Sequence, residues 1–154
     1  TGQTVAWFGD GNNVAGSWIE AAVRFGFQLR IAGPQRYAPP ASLLAWARAN
    51  GGDIILTDDV NLAIEKVQTV VTDVWISMGA DEGNRCKDFA PYQVNANLMK
   101  SAASDAIFMH CLPARRGMEV TAAVIDGPQS AVFDEAENRL HAQKAVMAWC
   151  LEGY

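Results

Sequence analysis

Short runs of β-branched and aromatic residues recur along this chain, at Thr4–Phe8, Gln28–Ala32, Asp53–Thr57, Thr69–Ile76, Ala106–Cys111 and Ser130–Phe133, with segments of helical period between them. Most of these runs are continuously apolar and do not alternate, as a strand requires when both faces of its sheet are covered. Strand–helix alternation of this kind feeds a parallel sheet. The chain is therefore expected to be a single α/β domain, a doubly wound parallel sheet in a Rossmann-like three-layer α/β/α arrangement. At 154 residues it is the size of one core.

The helical segments carry their own punctuation. Val14, Trp18, Ala21, Ala22 and Phe25 form one stripe of Val14–Phe25, and Gly26 supplies the stop. Pro39-Pro40 places proline in the first turn of Ala41–Ala49, which Gly51-Gly52 ends. Val60–Val67 predicts a shorter helix and Asn95–Ser101 another. From Glu135 onward, Ala136, Leu140, Ala145, Val146, Trp149 and Cys150 predict a terminal helix with apolar residues on more than one side. The polar stretch from Gly79 to Tyr92 has no period and is expected to be a loop after the fourth strand. Loops at that carboxyl edge are where open parallel sheets bind ligands.

Charge and cysteine usage narrow the function. With a net charge of -5 and its 12 Lys and Arg scattered, the chain has no basic stripe for a nucleic acid. No apolar run approaches the roughly 18 to 20 residues of a membrane span, and Thr1-Gly2-Gln3 has no signal-peptide character. A cytoplasmic protein with no membrane partner is expected. Because Thr4–Phe8 reads as a core strand at the very start, the chain is also expected to be a piece of a longer protein. Cys86, Cys111 and Cys150 lack CxxC spacing, so reduced thiols are expected, without a disulfide framework or structural zinc.

Four segments could carry chemistry. Gly9-Asp10-Gly11-Asn12-Asn13-Val14 follows the first strand and opens the first helix, where backbone N–H groups can attract an anion. A dinucleotide fingerprint fails there, because Val14 stands at the third small position and Ala32-Gly33-Pro34 replaces the ribose-binding acid. The segment is either a turn that permits positive φ or a pair of amides offered to a small polar ligand. Asp73 lies in or at the end of an apolar strand, which is costly unless a cation pairs with it, from a ligand or from one of this chain's arginines. Ser77-Met78-Gly79 then offers a hydroxyl and free amides to a carboxylate.

His110-Cys111-Leu112-Pro113 ends the fifth strand, because the residue before proline is pushed away from helix. A free cysteine is usually a small buried hydrophobe, so Cys111 at a rim stands out, while His110 reads as a packing residue. Strand alternation points the two to opposite faces, which disfavours a direct Cys–His pair. Arg139, after Phe133-Asp134-Glu135-Ala136-Glu137-Asn138, either forks onto phosphate or carboxylate oxygens or pairs with its acidic neighbours.

GDGNN, DVWISMG, HCLP and FDEAENR, in this order and at these separations, resemble the motifs of ornithine carbamoyltransferases, from about Thr4 to the end. The resemblance implies that residues 1–154 are the ornithine-binding domain of the aspartate/ornithine carbamoyltransferase superfamily. The carbamoyl-phosphate domain that precedes it in the family, with its Ser-Thr-Arg-Thr loop, is absent from this chain. Asn13, Asp73, Ser77 and Met78 would hold the α-amino and α-carboxylate end of L-ornithine. Cys111, Leu112 and Arg139 would stand at carbamoyl phosphate, with Cys111 near the ornithine Nδ and Cys111 and Asp73 as the catalytic pair.

The implied reaction is attack of Nδ on the carbamoyl carbon, giving citrulline and phosphate in arginine biosynthesis, with no metal or organic cofactor. The family forms homotrimers, and its terminal helix packs on the half missing here. The chain alone is expected to be inactive and to self-associate through Leu140–Leu151. Other readings are a non-catalytic amino-acid-binding or interaction module, a carbamoyltransferase for a related amine, and a nucleotide-dependent oxidoreductase, the last disfavoured by Val14. The short Ala80–Asp88 loop with Cys86, and Arg115-Arg116 after HCLP, depart from the pattern without touching the matched positions.

Overall fold

A computed structural model describes residues 2–76 and 84–153. Its elements run β1 (Thr4–Phe8), α1 (Asn13–Phe25), β2 (Gln28–Ala32), α2 (Ala41–Ala49), β3 (Ile54–Thr57), α3 (Val60–Ile64), β4 (Thr69–Thr72), α4 (Arg85–Phe89), α5 (Ala96–Met99), β5 (Ile107–His110), α6 (Ala122–Ile125) and α7 (Val132–Glu152). Short 3₁₀ turns occupy Gln35–Tyr37 and Ala90–Tyr92.

Among the described residues five strands, all parallel, lie in the order β3-β2-β1-β4-β5. The chain therefore winds outward from β1 through β2 to β3, then returns to lay β4 and β5 on the other side. The winding reverses between β1 and β4, and the carboxyl ends of strands at such a switch point are where open parallel sheets bind ligands. Register fixes what meets there. Phe8 pairs with Thr72 and Thr72 with His110. The residues that follow these three strand ends, Gly9, Asp73 and Cys111, leave the sheet at one level.

Burial on both faces explains the continuously apolar strands. Ala6, Phe8, Val70 and Phe108 pack on one side with Ile64, Phe89 and Val124. Val5, Trp7, Leu29, Ile31 and Val71 pack on the other with Ile19, Ala22 and Ala47. Helix α1 starts where the Asn12 side chain accepts from the N–H of Val14 (2.9 Å) and Ala15 (3.1 Å), and ends at Gly26 in the left-handed region.

Several boundaries differ from the sequence expectation. The strand expected at Thr69–Ile76 stops at Thr72, because its neighbour β1 ends at the paired Phe8 and leaves residues 73–76 without a ladder partner. Ser130–Phe133 forms no strand. Phe108 accepts from Ala131 and donates to Gln129, which makes a single bridge, and α7 has already begun at Val132, ahead of the expected Glu135. The helix expected over Val60–Val67 breaks before Lys66, whose φ is 55°. Asn95–Ser101 contracts to Ala96–Met99, with Asn95 as the cap.

The loop expected from Gly79 to Tyr92 holds α4 instead, whose buried Phe89 stacks on Tyr37 and Trp75 at centroid separations of 4.8 and 6.2 Å. Helix α7 leaves Leu140, Val146, Met147, Trp149 and Leu151 in solvent, and Leu151 is 83% exposed. Among the described residues, no helix is long and apolar enough to cross a membrane.

Candidate active site at the carboxyl rim

Asp73 is the first residue beyond β4, and it is 8% exposed. Its carboxylate accepts from its neighbour's backbone, Val74 N–H, at 2.7 Å, from Asn12 Nδ2 at 2.9 Å and from Cys111 Sγ at 3.4 Å. Among the described residues no Lys or Arg pairs with it. Three of this chain's arginines are engaged elsewhere: Arg85 with Asp10 and with the Trp75 carbonyl, Arg36 with Asp88, and Arg116 with Asp126. A buried carboxylate held only by neutral donors keeps its affinity for a cation.

Asn12, which the sequence offers as one of two adjacent amides and to which the resemblance assigns no role, joins the site to the fold. Its Oδ1 caps α1 and its Nδ2 donates to Asp73, so one amide orientation satisfies both. Asn13 is exposed at the first residue of α1, and its carbonyl accepts from Ser17. The structure thus brings Asn12, not Asn13, onto Asp73, and leaves the Asn13 side chain without a hydrogen bond among the described residues. Ser77 and Met78 lie outside the described residues.

Gly11 in the first turn and Gly33 after β2 are required by close packing, while Gly9 has a positive φ of 135°. A Cβ on Gly33 would collide with the Gly9 carbonyl, and one on Gly11 with Pro39. Gly9 N–H donates to Ala32 and Gly11 N–H to Tyr37, while Asn12 takes the first helix amides. Four of the amides at this turn, those of Gly9, Gly11, Val14 and Ala15, are thus bonded within the protein, which weakens a dinucleotide reading.

Cys111 follows β5 and is exposed as a residue. Its thiol is pushed up to about 12, first by partial burial and then by the charge and hydrogen bond of Asp73, with a smaller contribution from Glu135. At neutral pH it is therefore a thiol that donates to Asp73, not a thiolate. His110 points the other way, into the core, as strand alternation requires. Its backbone N–H donates to Glu135 Oε2 at 2.8 Å, and burial raises the Glu135 carboxyl.

Leu112 is half-buried, precedes a cis peptide to Pro113 and has φ 56°, a left-handed conformation rare for a branched residue. Its N–H donates to His110 Nδ1 at 2.9 Å. Arg139 lies one helical turn beyond Glu135 on α7, exposed and without an ion pair among the described residues. Its expected acidic neighbours do not hold it.

Asp73, His110 and Cys111 bring potential metal-binding atoms within 4.8 Å of one another. A metal ion there would have to displace the Leu112 N–H from His110 Nδ1 and the proton from a thiol held well above neutrality. The arrangement as it stands is one of hydrogen bonds converging on a single carboxylate.

A family model described as the aspartate/ornithine carbamoyltransferase, Asp/Orn binding domain, matches residues 1–150. The ornithine carbamoyltransferase of Brucella abortus (strain 2308) is 58% identical over 152 residues, 98% of this chain and 49% of that protein. That of Nitrobacter winogradskyi is 58% identical over 151 residues, 97% of this chain and 49% of its own length. Among solved structures, ornithine carbamoyltransferase from Pyrococcus furiosus superposes with a TM-score of 0.90 at 47% identity, covering 96% of this chain and 49% of that one. The anabolic ornithine carbamoyltransferase of Campylobacter jejuni gives 0.91 at 33% identity, covering 97% and 52%. The chain spans about half the length of the curated relatives it matches.

Proposed function

Because this chain belongs to the aspartate/ornithine carbamoyltransferase family, as its Asp/Orn-binding domain, we propose that it holds L-ornithine for carbamoyl transfer to Nδ, in a protein whose other half binds carbamoyl phosphate. The observation that carries this reading is the Asp73 carboxylate, buried at the switch point with Asn12, Val74 and Cys111 around it and no cation among the described residues. The α-ammonium of ornithine is the missing partner. Asn13, Ser77 and Met78 hold the rest of its α-amino acid end.

The reacting amine has a solution pKa of about 10.4, so it must lose a proton before its lone pair can attack the carbamoyl carbon. The C–N bond forms, the tetrahedral intermediate collapses, the C–O bond to phosphate breaks, and citrulline and phosphate remain. While its thiol is held up to about 12 beside Asp73, Cys111 does not itself take that proton. An ammonium placed beside Asp73 offsets the charge that raises the thiol, so ornithine binding brings Cys111 down toward the range of a useful base. Leu112 and Arg139 face the carbamoyl phosphate, where a guanidinium suits the departing phosphate.

The remaining phosphate-binding groups belong to the other half, so the chain alone has negligible turnover. The exposed apolar residues of α7 are the surface that this half covers; in its absence they self-associate, while the whole protein is a cytoplasmic homotrimer. Calorimetric titration with L-ornithine, with and without carbamoyl phosphate, tests the pocket. Mixing with a separately produced carbamoyl-phosphate half then tests the chemistry, by restored citrulline formation. Ornithine binding without restored activity would favour a non-catalytic amino-acid-binding module, and absence of ornithine binding would overturn the proposal.

A further inference from the structure

We propose that Glu119 is a positioning residue of this site, acting through His110 to hold the backbone of Leu112, and with it Cys111, at the rim. The functional consequence rests on the ornithine reading above; the geometry does not.

His110 and Glu119 are both 0% exposed. The imidazole Nδ1 accepts from Leu112 N–H at 2.9 Å, so in the neutral ring the proton must sit on Nε2. Nε2 lies 3.3 Å from Glu119 Oε1, in ion-pair range but off the line of a good hydrogen bond, and no other partner meets it among the described residues. A carboxylate is an acceptor only, so Glu119 selects the tautomer that leaves Nδ1 free to hold Leu112. The opposite tautomer would set two N–H donors against each other.

Glu119 is itself fixed from two directions. Its Oε1 accepts from Arg115 N–H, and its backbone carbonyl accepts from Val94 N–H at 2.9 Å. The segment 110–119 thus leaves the rim, loops out and returns to brace its own starting point. What it braces needs bracing: Leu112 is in the left-handed region at φ 56°, where a branched side chain does not settle unaided. Cys111 lies between the two anchored residues, and its contact with Asp73 depends on that backbone.

The test uses this chain, with Cys86 and Cys150, both exposed, as internal references for thiol reactivity. Imidazole ¹⁵N shifts in the wild type should report a neutral His110 with the proton on Nε2; a proton on Nδ1 overturns the proposal without any variant. Glu119→Gln, whose amide oxygen still accepts, should keep that tautomer and the wild-type alkylation rate of Cys111. Glu119→Ala should lose tautomer preference and raise Cys111 alkylation about tenfold relative to Cys86 and Cys150, as expected for one pK unit of released thiolate. A folded Glu119→Ala protein with unchanged tautomer and Cys111 rate overturns the proposal. Failure of wild-type chain to bind ornithine would sink the functional reading but leave these outcomes decisive.

Discussion

The Cys111 thiol points at the Asp73 carboxylate across the rim, Sγ to Oδ1 at 3.4 Å, although the two residues leave different strands and lie 38 positions apart. The register of β1, β4 and β5 makes this contact, because it sets the ends of β4 and β5 level, at Thr72 and His110. A sulfur beside a buried carboxylate is held protonated, and a carboxylate beside a thiol and two amide donors is poised for a cation.

Replacing Asp73 with Asn removes the charge that raises the thiol while keeping an acceptor of the same shape. The Cys111 midpoint, at about 12, should fall part of the way toward its ordinary value of 9.0, since burial, the larger cause, remains. The pH dependence of Cys111 alkylation reads this directly. An unmoved midpoint would show that the carboxylate does not govern the thiol.

Asn12 and Asn13 separate structure from binding. Asn12→Ala removes a helix cap, worth about 1 kcal/mol, and a hydrogen bond to a buried carboxylate, worth roughly 1.5–3 kcal/mol. It should lower both stability and ornithine affinity. Asn13→Ala, at an exposed position, should leave stability within about 0.5 kcal/mol and weaken only ornithine binding. Equal losses of stability in the two variants would contradict the assignment.

Glu135 makes stability pH-dependent. Burial raises its carboxyl above the ordinary value of 4.5 in the folded chain, so the folded state binds the proton more tightly than the unfolded one. Its favourable contribution is full below the unfolded value and is lost as pH rises through the folded one. Glu135→Gln cannot titrate, so its stability relative to wild type should improve between pH 4 and pH 7.5, as measured by urea unfolding at each pH. A difference that stays constant across that window would remove Glu135 as the cause.

The sheet was legible because continuous apolar runs have few other places to go, and β1 and β2 fall where expected. Ser130–Phe133 is likewise apolar for most of its length, but strand formation needs a neighbour with free ladder groups along its length, and among the described residues only Phe108 engages it. Helix α4 is too short to show a period, so Arg85–Phe89 was indistinguishable from a loop. At the site, Asp73 stood out through the cost of burying a charge. Adjacent Asn12 and Asn13 are equal candidates for capping until backbone angles choose between them. Glu119 carries no local signal, since its partners His110 and Arg115 are set by how the segment folds back.

Helix α7 exposes more apolar surface than a solitary domain retains without consequence: Leu140, Val146, Met147, Trp149 and Leu151 are each more than half exposed, and only Val132 is buried in the helix. Water contact with such a face is relieved by any complementary apolar surface, including a second copy of the same helix. Sedimentation velocity should therefore show a dimer that dissociates on dilution. Trp149→Glu should abolish it at equal concentration without lowering thermal stability, because an exposed side chain contributes little to the fold. Adding the carbamoyl-phosphate half should dissolve the dimer in the wild type as citrulline formation appears, since both events compete for one face. A wild-type chain that stays monomeric at high concentration would show that α7 does not self-associate, and a dimer that persists beside restored activity would place its interface elsewhere.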